Sequence, residues 1–227
     1  MLLHGCGGFL TSRGEPGASY RIWAETLARH GYVALLVDSF GPRGVRSICN
    51  QMKRTILILR ERVDDAYAAL DWLASRPDVQ AERIGLMGWS NGGSGALYSL
   101  LPENGRRARF RAAVAYYPGC AALARADKPY RPYAPLLVLA GEADDWTPAE
   151  HCTALAAAAR AQGAEVDIEV YAGAHHGFDR VNSPVRFRPD VRHSNRPGGR
   201  GATVGGHPDA RARSMKRALE FLARTLK

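Results

Sequence analysis

The feature that most constrains the fold of this 227-residue chain is an alternation of short apolar runs with amphipathic stretches. The run "YVALLVD" (32–38) is apolar throughout, as expected of a strand buried on both faces of a sheet. Similar runs occupy 83–88, 112–118 and 135–141. The run at 166–173 alternates more, which is typical of a strand nearer a sheet edge.

Helical patterns separate these runs. In "RERVDDAYAALDWLASRP" the apolar side chains fall on one helical face and Pro77 ends the helix; the face comprises Val63, Tyr67, Leu70 and Leu73. "TPAEHCTALAAAARAQG" opens with Thr147 and Glu150 in a predicted capping box. Strand–helix alternation predicts the α/β class, an open and mostly parallel sheet with helices on both faces. With neither an internal repeat nor a linker, we expect one domain over 1–227.

One segment lacks any periodicity. Residues 179–206 hold six arginines and many turn-forming residues. Unstructured segments of this length in a compact domain are functional or mobile. We expect a mobile surface loop or a flap covering a sheet edge, and a substrate-contacting lid is the alternative.

Charge and composition exclude several function classes. The net charge of +9 permits binding to nucleic acid, yet the sequence has no RNA-binding motif, zinc-finger spacing or helix striped with basic residues. We therefore expect a solvated basic surface and no nucleic-acid partner. No apolar run approaches the roughly 20 residues that span a bilayer, so we expect no membrane partner. The four cysteines form no CxxC or Cys/His pattern, so we expect no metal and no other cofactor.

The first residues, "MLLHG", resemble the end of a strand that begins further upstream. We therefore expect N-terminal strands to be missing from this sequence, which leaves open whether a targeting signal precedes them. The sequence as it stands predicts a cytoplasmic protein, whereas an upstream signal would make it periplasmic or secreted.

A candidate nucleophile lies in "GLMGWSNGG" (85–93), where Gly88 to Gly92 fit G-x-S-x-G around Ser90. The bare pattern is weak, but here a strand precedes the serine and a Gly-rich helix start follows it. This strand–turn–helix setting is the one that a nucleophile elbow requires. The alternative is a Gly-rich turn with an incidental serine.

A serine nucleophile needs a base, and the base needs an orienting acid, in the chain order Ser, acid, His. "LAGEADDWTP" follows a strand, and its G-x-x-D spacing favours Asp144, with Asp145 as the alternative. "YAGAHHGFD" follows the last strand, and we favour His176 over His175 because Gly-Phe comes directly after it. Open α/β sheets place their sites at such strand ends.

The loop "HGCGG" (4–8) follows the first strand and can donate a backbone N–H to an oxyanion. We predict the N–H groups of Cys6 and Asn91 as the two donors, with Gly7 as the alternative to Cys6. Trp89, Trp146 and Arg43 are further candidates for substrate binding. For the two tryptophans core packing is the alternative, and for Arg43 it is a surface or structural role.

The chain resembles the dienelactone hydrolase family of α/β-hydrolases. The resemblance is carried by "LLHGCGG", "GYVALLVDSFGPRG", "RVDDAYAALDWLASRPDVQAERIGLMGWSNGG", "GEADDWTPAEHC" and "GAHHGFD", in the family's order. It implies the α/β-hydrolase fold and acyl transfer with Ser90 as nucleophile, His176 as base and Asp144 as orienting acid. The founding members use a cysteine nucleophile, so Ser90 points to a carboxylesterase acting on a small-molecule ester.

The fold order implied by this resemblance also bears on the cysteines. It places Cys6 and Cys49 after neighbouring strands, and Cys120 and Cys152 likewise. If the thiols are oxidised, we expect the pairs Cys6–Cys49 and Cys120–Cys152, which would favour a periplasmic or secreted parent protein.

Two other functions compete with the esterase. "GWSNGG" also resembles the nucleophile elbow of prolyl oligopeptidases, although that family usually carries a β-propeller for which this chain has no room. The second alternative is a non-catalytic binding module on the same scaffold.

Overall fold

The computed structural model describes residues 1–102, 108–193 and 196–226. Within these residues six strands form a parallel sheet in the order β2-β1-β3-β4-β5-β6. The strands are β1 (Leu2–Leu3), β2 (Leu36–Val37), β3 (Gly85–Trp89), β4 (Ala112–Tyr116), β5 (Leu136–Gly141) and β6 (Val166–Tyr171). The predicted fold class, an open parallel α/β sheet, is therefore confirmed.

Helices cover both faces of this sheet. They are α1 (Ala18–Arg29), α2 (Val63–Ala74), α3 (Asn91–Ser99), α4 (Ala121–Ala124), α5 (Ala149–Ala161) and α6 (Pro208–Thr225). One apolar core packs α2, α3 and α5 against alternate strand residues such as Leu86 and Val138. The other packs α1 and α6 against the intervening residues, such as Met87 and Leu139. Of the described helices, none combines the length and apolarity needed to cross a membrane.

The ends of the sheet differ from its centre. The predicted strand at 32–38 is wrong in extent, because only Leu36–Val37 is a strand and both residues are half-buried. The reason is its position at an edge, where its one neighbour, β1, offers only two residues for pairing. At the opposite edge lies β6, as its alternating pattern predicts.

The segment 179–206 is not an irregular loop throughout, and of the expected arrangements it most resembles a flap over a sheet edge. Its centre forms β7 (Arg186–Arg192) and β8 (Arg200–Val204), two antiparallel strands that we call the ribbon. An irregularity in register between Arg188 and Arg192 and mostly exposed side chains hide the strand period from the sequence. The ribbon packs on the sheet's carboxyl edge, where Val204 pairs with His176.

Both expected cysteine pairs form disulfides. Cys6 is bonded to Cys49, and Cys120 is bonded to Cys152. The first bond ties the loop after β1 to the segment following β2, and the second ties the loop after β4 to α5.

Candidate active site

Ser90 lies in a sharp turn between β3 and α3. Its φ of 53° and ψ of −115° fall in a region that non-glycine residues rarely adopt. The turn needs glycine at two positions, because a Cβ at Gly88 would lie 2.1 Å from the carbonyl oxygen of Gly92. A Cβ at Gly92 would lie 2.2 Å from the carbonyl oxygen of Leu3. The G-x-S-x-G spacing therefore lets the start of α3 pack closely against the end of β1, with Ser90 in the turn between β3 and α3.

His176 connects the serine to an acid. Its Nε2 lies 2.8 Å from Ser90 Oγ, and its Nδ1 lies 2.8 Å from Asp144 Oδ2. The imidazole is 1% exposed and is therefore shielded from water. The neighbouring His175 instead places its Nδ1 2.8 Å from the carbonyl oxygen of Ala143. The structure thus brings His176, and not His175, to the serine.

Asp144 is buried and well supplied with donors. Its Oδ1 accepts the backbone N–H groups of Trp146 and Thr147, each at 2.9 Å. The neighbouring Asp145 turns away to the ribbon, where its carboxylate accepts the backbone N–H of Thr203 at 2.8 Å. Of the two candidate acids, only Asp144 faces the imidazole.

Thr147 lies at the candidate site, whereas its sequence context predicts a helix cap. The predicted capping box is wrong, because α5 begins one residue after Pro148 with no side-chain cap. The threonine hydroxyl lies instead 2.9 Å from Asp144 Oδ2 and 3.0 Å from His176 Nδ1. The T-P-x-E pattern fits a cap and a site residue equally well, so only the fold distinguishes them.

The loop after β1 is held from beneath by two residues that the sequence did not single out. Arg62 is fully buried and donates to the carbonyl oxygen of His4 and, at 3.0 Å, to its ring nitrogen Nε2. Burial, reinforced by the charge of Arg62, lowers the pKa of His4 to about 3, so the ring stays neutral. Burial also lowers the pKa of Arg62, to about 10. Tyr20 Oη accepts the backbone N–H of Gly5 at 3.0 Å.

Two cavities meet at Ser90. The α4 cavity, of about 420 Å³, is named for Ala121 and Ala122 in its wall. The α1 cavity, of about 450 Å³, is named for Ala18 and Tyr20. Both cavities reach Cys6, and the α4 cavity also reaches Asn91. Cys6 and Asn91, whose N–H groups are the predicted oxyanion donors, thus line the same cavity as Ser90.

The three predicted substrate-binding residues differ in their surroundings. Trp146 lines both cavities, and its ring centroid lies 4.7 Å from that of His176. Trp89 is 3% exposed at the edge of the α1 cavity, packs among core aromatic residues and donates to Asp179 Oδ2 at 2.8 Å. Arg43 instead donates to both carboxylate oxygens of Asp65 at 2.8 Å. This ion pair fits the surface or structural role that was the alternative to substrate binding for Arg43.

Asp179 is a second buried carboxylate near the site. Besides the indole of Trp89 it accepts the hydroxyl of Tyr117, at 2.5 Å. Burial and the nearby charge of Asp179 raise the pKa of Tyr117 well above its usual value, so the phenol remains a donor. The Tyr117 ring centroid lies 4.7 Å from that of His176. This network therefore supports one side of the imidazole.

The comparisons with known proteins agree with this architecture. The model of the dienelactone hydrolase family matches residues 17–226. A curated relative from Bradyrhizobium sp, named as a probable 2-oxo-3-(5-oxofuran-2-ylidene)propanoate lactonase, is 29% identical over 167 residues. That match covers 68% of this chain and 65% of the relative, so the chain spans less than two thirds of its length.

Two solved structures have a similar fold. Esterase 2 of Thermogutta terrifontis, phosphoramylated by tabun, has a TM-score of 0.68 and 19% identity over 98% of this chain and 81% of that chain. A dienelactone hydrolase-like promiscuous phosphotriesterase from metagenomic libraries has a TM-score of 0.68 and 18% identity over 100% and 85%. Identities this low support a shared fold and no more.

Proposed function

The chain belongs to the dienelactone hydrolase family, and on this premise we propose that it hydrolyses carboxylic esters through an acyl-enzyme formed on Ser90. The observation that carries the proposal is the His176 imidazole, which lies 2.8 Å from Ser90 Oγ on one side and 2.8 Å from Asp144 Oδ2 on the other. A serine hydroxyl is a weak nucleophile until a positioned base accepts its proton. The buried pair of His176 and Asp144 provides such a base.

The reaction proceeds in two steps. His176 Nε2 takes the proton of Ser90 Oγ as the oxygen attacks the ester carbonyl, and the Asp144 carboxylate stabilises the imidazolium that forms. The imidazolium then gives its proton to the departing alcohol, which leaves an acyl group on Ser90. His176 then takes a proton from a water molecule as the water oxygen attacks the acyl carbon, and the imidazolium gives that proton to Ser90 Oγ as the acid is released.

The negative charge on the tetrahedral intermediate needs donors that are already in place. Asn91 is the first residue of α3, where backbone N–H groups have no partner within the helix. We assign its N–H and that of Cys6 to the oxyanion. The Cys6–Cys49 disulfide and the buried Arg62 beneath the loop support this assignment, because they hold the Cys6 segment in place. Losing one such donor typically costs about 100- to 1,000-fold in rate.

The lining of the α4 cavity suggests the substrate class. Apart from Tyr98, its ionisable residues are basic, namely Arg54, Arg125, Arg192 and His151, and none of the described residues in its wall is a carboxylic acid. Burial, with the charge of Arg192, lowers the pKa of Arg54. A half-buried guanidinium next to another positive charge is stabilised when it binds an anion. We therefore propose an ester or lactone that carries a carboxylate.

Two unsatisfied polar groups support the same conclusion. Arg54 Nε and both polar atoms of the Asn91 side chain are buried without a hydrogen-bond partner among the described residues. Both residues line the α4 cavity. Buried polar atoms normally have hydrogen-bond partners, so two residues of one cavity wall that retain unpaired atoms suit a cavity that takes a polar ligand. The lactonase named above acts on a propanoate, and this substrate belongs to the same chemical class.

Labelling tests the nucleophile. We expect a fluorophosphonate probe to label the protein, Ser90→Ala to abolish labelling, and Ser75→Ala to leave it unchanged. Ser75 suits as a control because it is exposed at the end of α2. A folded wild-type protein that does not label would contradict the proposal and favour a non-catalytic binding module.

Matched esters test the substrate class. We expect mono-p-nitrophenyl succinate to be hydrolysed with a higher kcat/KM than p-nitrophenyl butyrate, which lacks the carboxylate. Arg54→Met should lower kcat/KM for the succinate by about 10-fold or more and leave the butyrate unchanged, since hydrogen bonds between charged groups are worth about 1.5–3 kcal/mol. Arg76→Met is the control, because Arg76 pairs with Asp78 on the surface. Equal losses for both esters would exclude the anion site, and cleavage of a p-nitroanilide peptide instead would favour the peptidase.

A further inference from the structure

The hydroxyl of Thr147 lies at the junction of three strand ends. It lies 3.1 Å from the carbonyl oxygen of Tyr117 after β4, 2.9 Å from Asp144 Oδ2 after β5, and 3.0 Å from His176 Nδ1 after β6. The same residue donates its backbone N–H to Asp144 Oδ1 at 2.9 Å. Thr147 thus contacts both carboxylate oxygens of the acid as well as the nitrogen that the acid faces.

We propose that Thr147 is a positioning residue that holds Asp144 and His176 in their reactive arrangement. This inference rests on the proposed function, since it concerns the acid–base pair of that reaction. Thr147 touches neither Ser90 Oγ nor the reacting carbonyl in this role and acts through the other two residues.

A count of protons explains how the hydroxyl acts. When His176 Nε2 accepts the serine proton, Nδ1 already carries a hydrogen and donates it to Asp144 Oδ2. The single hydroxyl proton of Thr147 then has two acceptors within reach, and the charged carboxylate is the stronger one. With that proton on Asp144, a lone pair of the hydroxyl oxygen faces the Nδ1–H group. The hydroxyl therefore favours the one tautomer that leaves Nε2 free to act as a base.

The threonine is itself held in place. A β-branched side chain has few rotamers, and here its backbone N–H is tied to Asp144 while Pro148 and α5 follow directly. Trp146 adds a second backbone donor to Asp144 Oδ1 at 2.9 Å. Asp144 Oδ1 is thus fixed by main-chain groups, whereas Oδ2, which faces the imidazole, has the Thr147 hydroxyl as its other donor. Removing that hydroxyl would leave Asp144 Oδ2, the oxygen that accepts from His176, without its other donor.

Three variants test the proposal. Thr147→Val keeps the shape and removes the hydroxyl, Thr147→Ser keeps the hydroxyl, and Thr153→Val repeats the first change at an exposed threonine of the adjacent α5. On p-nitrophenyl butyrate we expect Thr147→Val to lower kcat by about 10- to 100-fold with KM unchanged, the range expected for one hydrogen bond to a charged group. The kcat of Thr147→Ser should stay within about 3-fold of the wild-type value, because the hydroxyl is kept. The kcat of Thr153→Val should equal that of the wild type.

A spectroscopic measurement separates this inference from the proposed function. We expect the hydrogen-bonded Nδ1–H proton of His176 to give a low-field NMR resonance, which should move or broaden in Thr147→Val and persist in Thr147→Ser and Thr153→Val. This readout needs no turnover, so it tests Thr147 even if the wild type fails to label with fluorophosphonate. Wild-type kcat and an unchanged resonance in Thr147→Val would overturn the inference. Equal losses in the valine and serine variants would also overturn it, because packing alone would then explain them.

Discussion

Asp145 holds Thr203 by two hydrogen bonds, from the backbone N–H to Oδ1 at 2.8 Å and from the hydroxyl to Oδ2 at 3.2 Å. The residue next to Asp144 is therefore one anchor of the ribbon. Trp146 extends the attachment by donating its indole N–H to the carbonyl oxygen of Arg192 at 2.9 Å. Three consecutive residues, Asp144 to Trp146, thus serve the imidazole, the ribbon and the cavity wall.

Replacing Asp145 should loosen the ribbon. We expect Asp145→Ala to lower the free energy of unfolding by about 1–3 kcal/mol, because it leaves the Thr203 N–H without its acceptor. Hydrogen exchange of the amides in 186–204 should quicken. Asp190→Ala is the control, since Asp190 lies in the ribbon itself and its carboxylate pairs with Arg188 on the surface, a contact worth at most about 1 kcal/mol. Equal exchange rates in both variants would show that Asp145 does not anchor the ribbon.

Two glycines of α3 should respond oppositely to alanine. A Cβ at Gly92 would lie 2.2 Å and 2.5 Å from the carbonyl oxygens of Leu3 and His4, so α3 would have to move away from β1. We expect Gly92→Ala to destabilise the fold by more than about 2 kcal/mol, as overpacking does, and to abolish labelling of Ser90. At Gly95 the nearest atom would be 3.4 Å away, in the side chain of Leu3. Gly95→Ala should therefore be neutral or stabilising by up to about 1 kcal/mol, which chemical denaturation would show.

His4 should make stability depend on pH. Its folded pKa of about 3 lies below the value near 6.5 of an unfolded histidine. Between these values the unfolded chain binds more protons, so stability is lost as the pH falls from about 6.5 towards 3, by up to ~1.4 kcal/mol per unit. We expect His4→Gln to flatten the slope by that amount in denaturant titrations between pH 7 and 4. The same slope in both proteins would contradict the role of His4.

The two disulfides should differ in their effect on catalysis. They join cysteines 43 and 32 residues apart, so loss of either is expected to lower the free energy of unfolding by about 4 kcal/mol. Cys49→Ala should also lower kcat, because it releases Cys6, one of the proposed oxyanion donors. Cys152→Ala should leave kcat near that of the wild type, measured well below the melting temperature. A normal kcat in Cys49→Ala would show that the Cys6–Cys49 disulfide does not support catalysis.

Much of the architecture follows from local patterns. Apolar runs predict β3, β4 and β5 because these strands are buried on both faces, and a burial pattern of that kind is visible residue by residue. The sequence also predicts the buried face of α2 correctly, since its four apolar residues are all buried, namely Val63, Tyr67, Leu70 and Leu73. The prediction fails where burial is partial, in β2 at the edge and in the Arg-rich ribbon, because exposed strands lack a strong hydrophobic period.

The sequence by itself determines the fold class and which side chains come near one another, because Ser90, Asp144 and His176 each follow a strand of one parallel sheet. Only the tertiary structure decides which of two adjacent residues faces inward. Asp145 and His175 have the same side chains as Asp144 and His176. The direction of the chain in each turn points Asp145 to the ribbon and His175 to a backbone carbonyl. Thr147 shows the limit most clearly, since its hydroxyl meets partners that are 3 and 29 residues away. Local spacing can indicate a helix cap, but it cannot predict the contacts of the Thr147 hydroxyl, because these form only when the fold brings three strand ends together.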